Sequence, residues 1–208
     1  MRSFLFPAYK AAYVQICEEW YRGELDFDKT YFHWFYPVEF SPALFCYHYK
    51  DKLFQIDYGG RMGILPQIVP YARNYLAKHH GFDINQEPVS RSGCVQPWMV
   101  RDLIDHTFVP AKGNALLAGE AGGFVLPVSG EGIGAAMKTG LAAASSIVAA
   151  SKSGTPAEQT YVSEVQSTIA AFKDLMPWFK EIMADTKAGG RSLAKILAQA
   201  YTATLREF

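Results

Sequence analysis

The chain has 208 residues, half of them apolar and 19% charged, with 20 Lys and Arg balanced by 20 Asp and Glu. That apolar content excludes a disordered chain and suits one domain, or one domain with an appendage. The zero net charge and the lack of any basic run exclude the electrostatic footprint of a nucleic-acid binder.

Residues 1–14, MRSFLFPAYKAAYV, lack the apolar core and cleavage pattern of a secretory signal. From Phe4 to Arg22 the residues suit either a short helix or an extended aromatic entry segment. The next stretch is dense in aromatics, which make up 14% of the chain and crowd into its first half. Such a skew suits the wall of a site for a large apolar or planar ligand, or the core of a sheet. Phe45, Tyr47 and Tyr49 alternate with Cys46 and His48, a period of two that places each set on one face of a strand. Lys50-Asp51-Lys52 reads as a hairpin turn, Leu53 to Tyr58 as the return strand, and Gly59-Gly60 as its end. Ile68 to His80 has helical spacing, with Gly81 in the C-terminal capping position. Glu87 to Val95 reads as a strand, and Gln96 to Val109 carries no clear signal.

Ala115 to Ala118 is a short apolar strand broken by Gly119, and a loop with Gly122, Gly123, Pro127 and Ser129 follows. From about Glu131 a long helix with a flank of small residues is expected, ending in a loop over Ser151 to Pro156. Glu131 and Lys138 within Gly130–Ala150 argue against a membrane span. Thr160 to Met183 reads as one amphipathic helix or two, broken at Pro177, and Ser192 to Leu205 as a last helix. The three cysteines, Cys17, Cys46 and Cys94, are far apart and form no Cys/His cluster, so neither a disulfide framework nor a metal site is expected. Of the five histidines, His79-His80 reads as positive charge at a helix end and Asp105-His106 as a surface pair, and no catalytic acid or base is assigned.

A strand feeding a glycine-rich turn and then a helix can present unsatisfied N–H groups to an anionic or electron-rich ligand. Equally, it can be a tight structural turn with Glu120 or Glu131 as capping carboxylates. The string LLAGEAGGFVLPVSGEGIGAAMKTGLAAA resembles the third flavin-contact motif of the p-hydroxybenzoate-hydroxylase-like FAD oxidoreductases, in the geranylgeranyl reductase and FixC-like branch. Gly119, Glu120, Ala121 and Gly123 match its first part, and Pro127, Gly130, Glu131, Gly132 and Ile133 its second. The usual residue at position 120 is Asp, and Glu is one methylene longer.

The resemblance implies FAD as cofactor, with those nine residues binding it. Glu120 would face the ribityl chain or pyrophosphate, and the 130–134 backbone the isoalloxazine. It also implies a substrate-cavity strand, matched loosely by Phe45, Tyr47 and Tyr49, or by the letters of Phe32-His33-Trp34-Phe35-Tyr36-Pro37. The implied fold class is α+β: an antiparallel or mixed aromatic-rich sheet packed with helices, a long flavin-facing helix and a helical C-terminal tail. The expected division is 1–110, 111–155 and 156–208. No GxGxxG is present, so the chain resembles the C-terminal portion of such an enzyme without its Rossmann part.

The implied activity is transfer of hydride or electrons to or from an apolar substrate: a prenyl chain, a quinone or an electron-transfer partner. A non-catalytic lipid or small-molecule binding module, or one subunit of a split flavoprotein, are the rival readings. Self-association, or a partner chain over the seam left by the missing part, is expected. The expected compartment is the cytoplasm, with or without contact to a membrane surface.

Overall fold

The computed structural model describes residues 10–41 and 43–207. Its contacts divide the chain into two compact units. One comprises residues 13–96 and 183–191, the other 97–182 and 192–208 with the first twelve residues. Residues 4–9 of the expected entry segment lie outside the described residues.

The first unit holds a five-stranded sheet in the order β2-β3-β4-β1-β5. Its strands are β1 (Ala12–Arg22), β2 (His33–Phe35), β3 (Leu44–Lys50), β4 (Leu53–Arg61) and β5 (Ser90–Trp98). The β2–β3, β3–β4 and β4–β1 pairs are antiparallel. Lys50 pairs with Leu53, so Asp51 and Lys52 form a two-residue turn with φ of 55° and 64°. Both central residues being left-handed is the geometry whose twist suits a tight hairpin. The return strand does not stop at Gly59-Gly60 but runs on to Arg61. Gly60 is there for close approach: a Cβ on it would lie 2.8 Å from the Ala43 Cβ.

Helix α1 (Leu65–His80) covers one face of this sheet. Ile68, Ala72 and Leu76 recur every four residues and are its buried stripe. Gly81 ends it at φ 73°, and Lys78, His79 and His80 place positive charge in the last turn. The core between helix and sheet is aromatic, with Tyr21, Phe45, Tyr47, Phe54, Ile56 and Tyr58 all at most 1% exposed. Glu19 sits in this layer at 1% exposure. It accepts hydrogen bonds from Tyr21 and Tyr58 hydroxyls (2.7 and 2.9 Å), and its oxygens lie 2.8 Å from both Arg73 and Arg91. Burial alone would raise its pKa, but hydrogen bonds from Tyr21, Arg73 and Tyr58 outweigh that and hold it below the usual range.

The second unit is mainly helical. It contains α2 (Val100–Ile104), the ribbon β6 (Ala111–Lys112) with β7 (Ala115–Leu116), and a 3₁₀ turn at Gly119–Gly122. The long helix α3 (Ile133–Ser153) follows, then α4 (Ala157–Glu164), α5 (Gln166–Lys187) and α6 (Leu193–Glu207), α5 extending into the residues grouped with the sheet. Phe124, Leu126, Leu117, Tyr161, Val165 and Phe172 belong to one core cluster, and the Tyr161 hydroxyl donates to the Leu117 carbonyl at 2.7 Å. Pro177 does not break α5, which runs through it. The proline removes a single ladder donor, while Phe172, Leu175 and Met176 anchor the turns before it in the core. By length and a mean hydropathy of 1.4, α3 could cross a membrane, and only 17% of its most apolar window is buried. The architecture is thus α+β, an antiparallel aromatic sheet with helices, as the fold-class expectation has it.

Candidate functional site

The motif segment from Gly119 to Gly134 lies wholly in the helical unit. The apolar strand expected over Ala115–Ala118 is only two residues long, because the chain turns at once into the 3₁₀ turn against α3. Gly119 has φ 57°, and a Cβ on it would come within 3.0 Å of the Ala136 Cβ. Its N–H donates to Thr139 Oγ1 at 2.9 Å, and that hydroxyl donates to the Ala135 carbonyl at 2.7 Å. Gly123 has φ 80°, and a Cβ on it would meet the Met99 Cβ at 2.6 Å. The glycines of the first half-motif therefore let the turn pack on α3 and on Met99. Ala121 and Glu120 are exposed, and the Glu120 carboxylate makes no hydrogen bond among the described residues.

The second half-motif is arranged differently. Pro127 is buried beside Leu126, and the 126–131 loop is closed by two backbone bonds, Leu126 N–H to the Glu131 carbonyl and Gly130 N–H to the Leu126 carbonyl. Gly130 has φ 69° with open space where a Cβ would be, and Gly132 meets nothing closer than 3.6 Å. At Gly130 the main chain is bare on one side, while a Cβ at Gly132 would be in ordinary contact with the Phe124 carbonyl and Val125. Ile133, 73% exposed, opens the helix. Glu131 Oε1 accepts from the Ile133 and Gly134 N–H groups. The N–H groups of the first helical turn, expected to face a ligand, are thus held by the helix's own carboxylate. Of the two alternatives for Glu131, the capping one is present in this structure.

From that end, Ile133, Met137, Leu141 and Val148 run down α3 at helical spacing, each more than half exposed. Small residues, Ala136, Gly140 and Ala144, lie between them. The opposite side of the helix carries buried Ala135, Thr139 and Ser146.

Phe45, Tyr47 and Tyr49, the expected substrate wall, belong to the sheet unit and point to its helix-covered face. Phe45 stacks on Phe35 at 4.6 Å, Tyr47 on Phe27 at 4.5 Å, and both are core residues. The alternative string Phe32–Pro37 is not a rival register but the neighbouring strand, since Trp34 pairs with Cys46 and Phe35 with Phe45. The set that alternates with Phe45 and Tyr47 occupies the other face. Cys46 pairs with Asp57, Asp57 with Glu18, His48 with Gln55, and Gln55 with Trp20. There His48 Nε2 lies 2.6 Å from Gln55 Oε1, the Gln55 amide donates to Asp57, and the Cys46 thiol approaches Asp57 at 3.5 Å. Burial pushes the Asp57 carboxyl above its usual range, opposed by hydrogen bonds from Gln55 and Cys46 and reinforced by the Glu18 charge. Burial, with Asp57 beside it, likewise pushes the Cys46 thiol well up. The sequence signal for this array is the same period of two, on the set that alternates with Phe45, Tyr47 and Tyr49.

Solved structures similar to this chain include the following two. A geranylgeranyl bacteriochlorophyll reductase-like protein from Thermoplasma acidophilum matches over 97% of this chain and 57% of its own, with a TM-score of 0.62 and 13% identity. Tetracycline destructase Tet(51) matches over 92% of this chain and 53% of its own, with a TM-score of 0.52 and 13% identity. The chain thus spans a little over half the length of each. No family model matches the sequence, and no curated protein does. At such identities the likeness is one of fold, and that fold is the α+β architecture shared with the geranylgeranyl bacteriochlorophyll reductase-like protein.

Proposed function

We propose that this chain is the substrate-sheet and flavin-facing part of a FAD-dependent oxidoreductase acting on an apolar substrate. The observation that carries the reading is the agreement of two independent likenesses. The Gly119–Ile133 string resembles the flavin-contact motif of the geranylgeranyl reductase branch, and the whole fold resembles a geranylgeranyl bacteriochlorophyll reductase-like structure.

FAD, when bound, supplies the hydride and electron chemistry. What the chain contributes is position and environment. The bare backbone at Gly130 suits close approach of a flat ring, and the Gly119–Thr139 bond pins the turn that leads into it. Glu131 sets the polarity of the helix end: while it caps Ile133 and Gly134, negative charge there is already present. Electron-rich ligand groups at that end would displace it toward solvent. Exposed Glu120 is free to accept bonds from sugar hydroxyls.

The whole enzyme's substrate belongs to the same proposal: a prenyl chain, a quinone or an electron-transfer partner. So do a cytoplasmic location with membrane contact, and self-association across the exposed apolar stripe of α3. Titration of FAD with the purified chain, followed by quenching of flavin fluorescence, tests the cofactor assignment. Saturable quenching that Gly130→Val weakens at least about fivefold is expected, since a side chain there would stand where the ring approaches. Quenching indifferent to Gly130→Val, or none at all, would contradict it.

A further inference from the structure

A cavity of about 520 Å³ opens between α2 and α5, within the helical unit, and shares no residue with the flavin-facing segment. Its apolar lining is Ile104 at the end of α2 with Met176 and Pro177 of α5, and Met176 is only 7% exposed. Exposed Arg101, Lys173 and Lys180 bring three cations to it, and Asp105 brings one carboxylate. None of these four side chains makes a hydrogen bond or an ion pair among the described residues. The sequence explains why the lysines stand unneutralised. They lie seven residues apart on one face of α5, with Met176 and Pro177 between them. Three and four positions from either lysine stand Ile169, Ala170, Met176, Pro177, Met183 and Ala184, none of them charged. Clefts lined by one sign of charge concentrate ligands of the other.

We propose that this cavity binds a phosphorylated sugar or polyol, with the phosphate among Arg101, Lys173 and Lys180, a hydroxyl donating to Asp105, and the C–H face of the ring on Met176 and Pro177. Three cations against one carboxylate leave an excess of two positive charges, which a phosphomonoester dianion balances and a monocarboxylate does not. The guanidinium fork of Arg101 suits two phosphate oxygens at once, while the lysines act as point charges. Asp105 repels a bare phosphate and helps only a ligand that carries a hydroxyl donor beside its phosphate. The volume points the same way. It lies within the range of small-molecule pockets, about 300–1,000 Å³, and a phosphate ion alone would leave most of it to water. No step of this rests on the flavoprotein reading. Sugar phosphates occur free and as the headgroups of inositol lipids, and the test has an arm for each.

The test is an amide ¹H–¹⁵N titration at low salt and about pH 8, where the phosphate is a dianion, with glucose 6-phosphate, inorganic phosphate and glucose. Wild type is expected to show saturable shifts over residues 101–106 and 173–181. Glucose 6-phosphate should bind roughly fivefold more tightly than phosphate, and glucose should not bind in the same concentration range. Arg101→Ala is expected to weaken glucose 6-phosphate roughly tenfold and Lys173→Ala roughly fivefold. Lys152→Ala, which removes an exposed cation near the end of α3, should leave it unchanged. Asp105→Leu is expected to tighten phosphate and to erase the advantage of glucose 6-phosphate. Circular dichroism checks the fold of each variant. The second arm is co-sedimentation with phosphatidylcholine vesicles carrying phosphatidylinositol 4-phosphate. Pelleting that Arg101→Ala abolishes identifies the ligand as a headgroup, and glucose 6-phosphate binding without pelleting identifies it as soluble; either bears out the site. No saturable shift, shifts centred elsewhere, or glucose bound as well as its phosphate would overturn the proposal. So would a loss on Lys152→Ala equal to that on Lys173→Ala, or phosphate weakened by Asp105→Leu.

Discussion

Replacing Glu19 by Gln removes one charge and leaves the shape. The carboxylate is 1% exposed and serves four donors: the hydroxyls of Tyr21 and Tyr58, Arg73 with a side chain 22% exposed, and Arg91 at 56%. A carboxamide oxygen can still accept from the two tyrosines, but its nitrogen then faces the guanidinium groups, donor against donor. Loss of a buried charge-assisted bond costs about 1.5–3 kcal/mol, and breaking one side of a buried ion pair about 3–5 kcal/mol. Arg73 retains some access to water, so the lower end applies, about 3 kcal/mol. With a urea slope of about 2–3 kcal/mol per M, the midpoint of the sheet unit's transition should fall by about 1–1.5 M. Arg91→Ala, at the exposed edge of the same cluster, should cost no more than about 1 kcal/mol. The pH dependence has a definite sign. Glu19 has a depressed pKa in the fold, so its stabilisation is complete above the ordinary glutamate value of about 4.3 and is lost as pH falls through the folded value. Wild type and Glu19→Gln should therefore converge in acid. Equilibrium unfolding by near-ultraviolet circular dichroism at several pH values reads all of this. If Glu19→Gln costs no more than Arg91→Ala, or the gap between wild type and variant does not shrink in acid, the buried-network argument fails.

Four further outcomes follow from particular contacts. Thr139→Val deprives the Gly119 N–H of its acceptor and should cost the helical unit about 1–3 kcal/mol in thermal unfolding. Gly123→Ala meets Met99 as well as an unfavourable φ, whereas Gly130→Ala meets only the φ. The second should cost about 1–2 kcal/mol, and the first about 1–3 kcal/mol more. Asp57 has a raised pKa in the fold, so wild type loses stability as pH rises from about 3.9 through the folded value. Asp57→Asn should accordingly be more stable relative to wild type at neutral pH than in acid, and a flat difference would contradict this. Met137→Glu with Leu141→Glu, both on the exposed stripe of α3, should shift stability by no more than about 0.5 kcal/mol each. The pair should also abolish concentration-dependent association in sedimentation, and a wild-type chain monomeric throughout would count against association on this surface.

The parts of the fold that could be read from the residues are those where one periodicity dominates. Ile68, Ala72 and Leu76, closed by Gly81, mark α1 within three residues of its start. The hairpin at Asp51–Lys52 is equally plain. The period of two over Phe45 to Tyr49 identifies a strand but not its buried face, because both faces are rich in rings: Phe35, Phe45 and Tyr47 on one, Trp20, Phe32 and Trp34 on the other. Only the position of α1 separates them. Gly59-Gly60 reads as a strand end, yet Gly60 is a close-contact position inside the strand, a use of glycine that local sequence does not distinguish from a turn. The Glu19 cluster joins residues 54 and 72 positions apart, so no local pattern could have announced it. In the motif itself, the letters place the glycines but not their division of labour. Gly119 and Gly123 are held by packing, a Cβ at Gly132 would be in ordinary contact with Phe124 and Val125, and Gly130 borders open space.

The most direct test of the flavin-facing assignment is an amide ¹H–¹⁵N map of the chain during titration with lumiflavin, the isoalloxazine ring alone. Saturable shifts centred on Gly130, Glu131, Gly132 and Ile133 are expected, with weaker ones at the 3₁₀ turn and near silence in the aromatic core under α1. Shifts centred on any other part of the chain, or none at millimolar ring concentration, would contradict it.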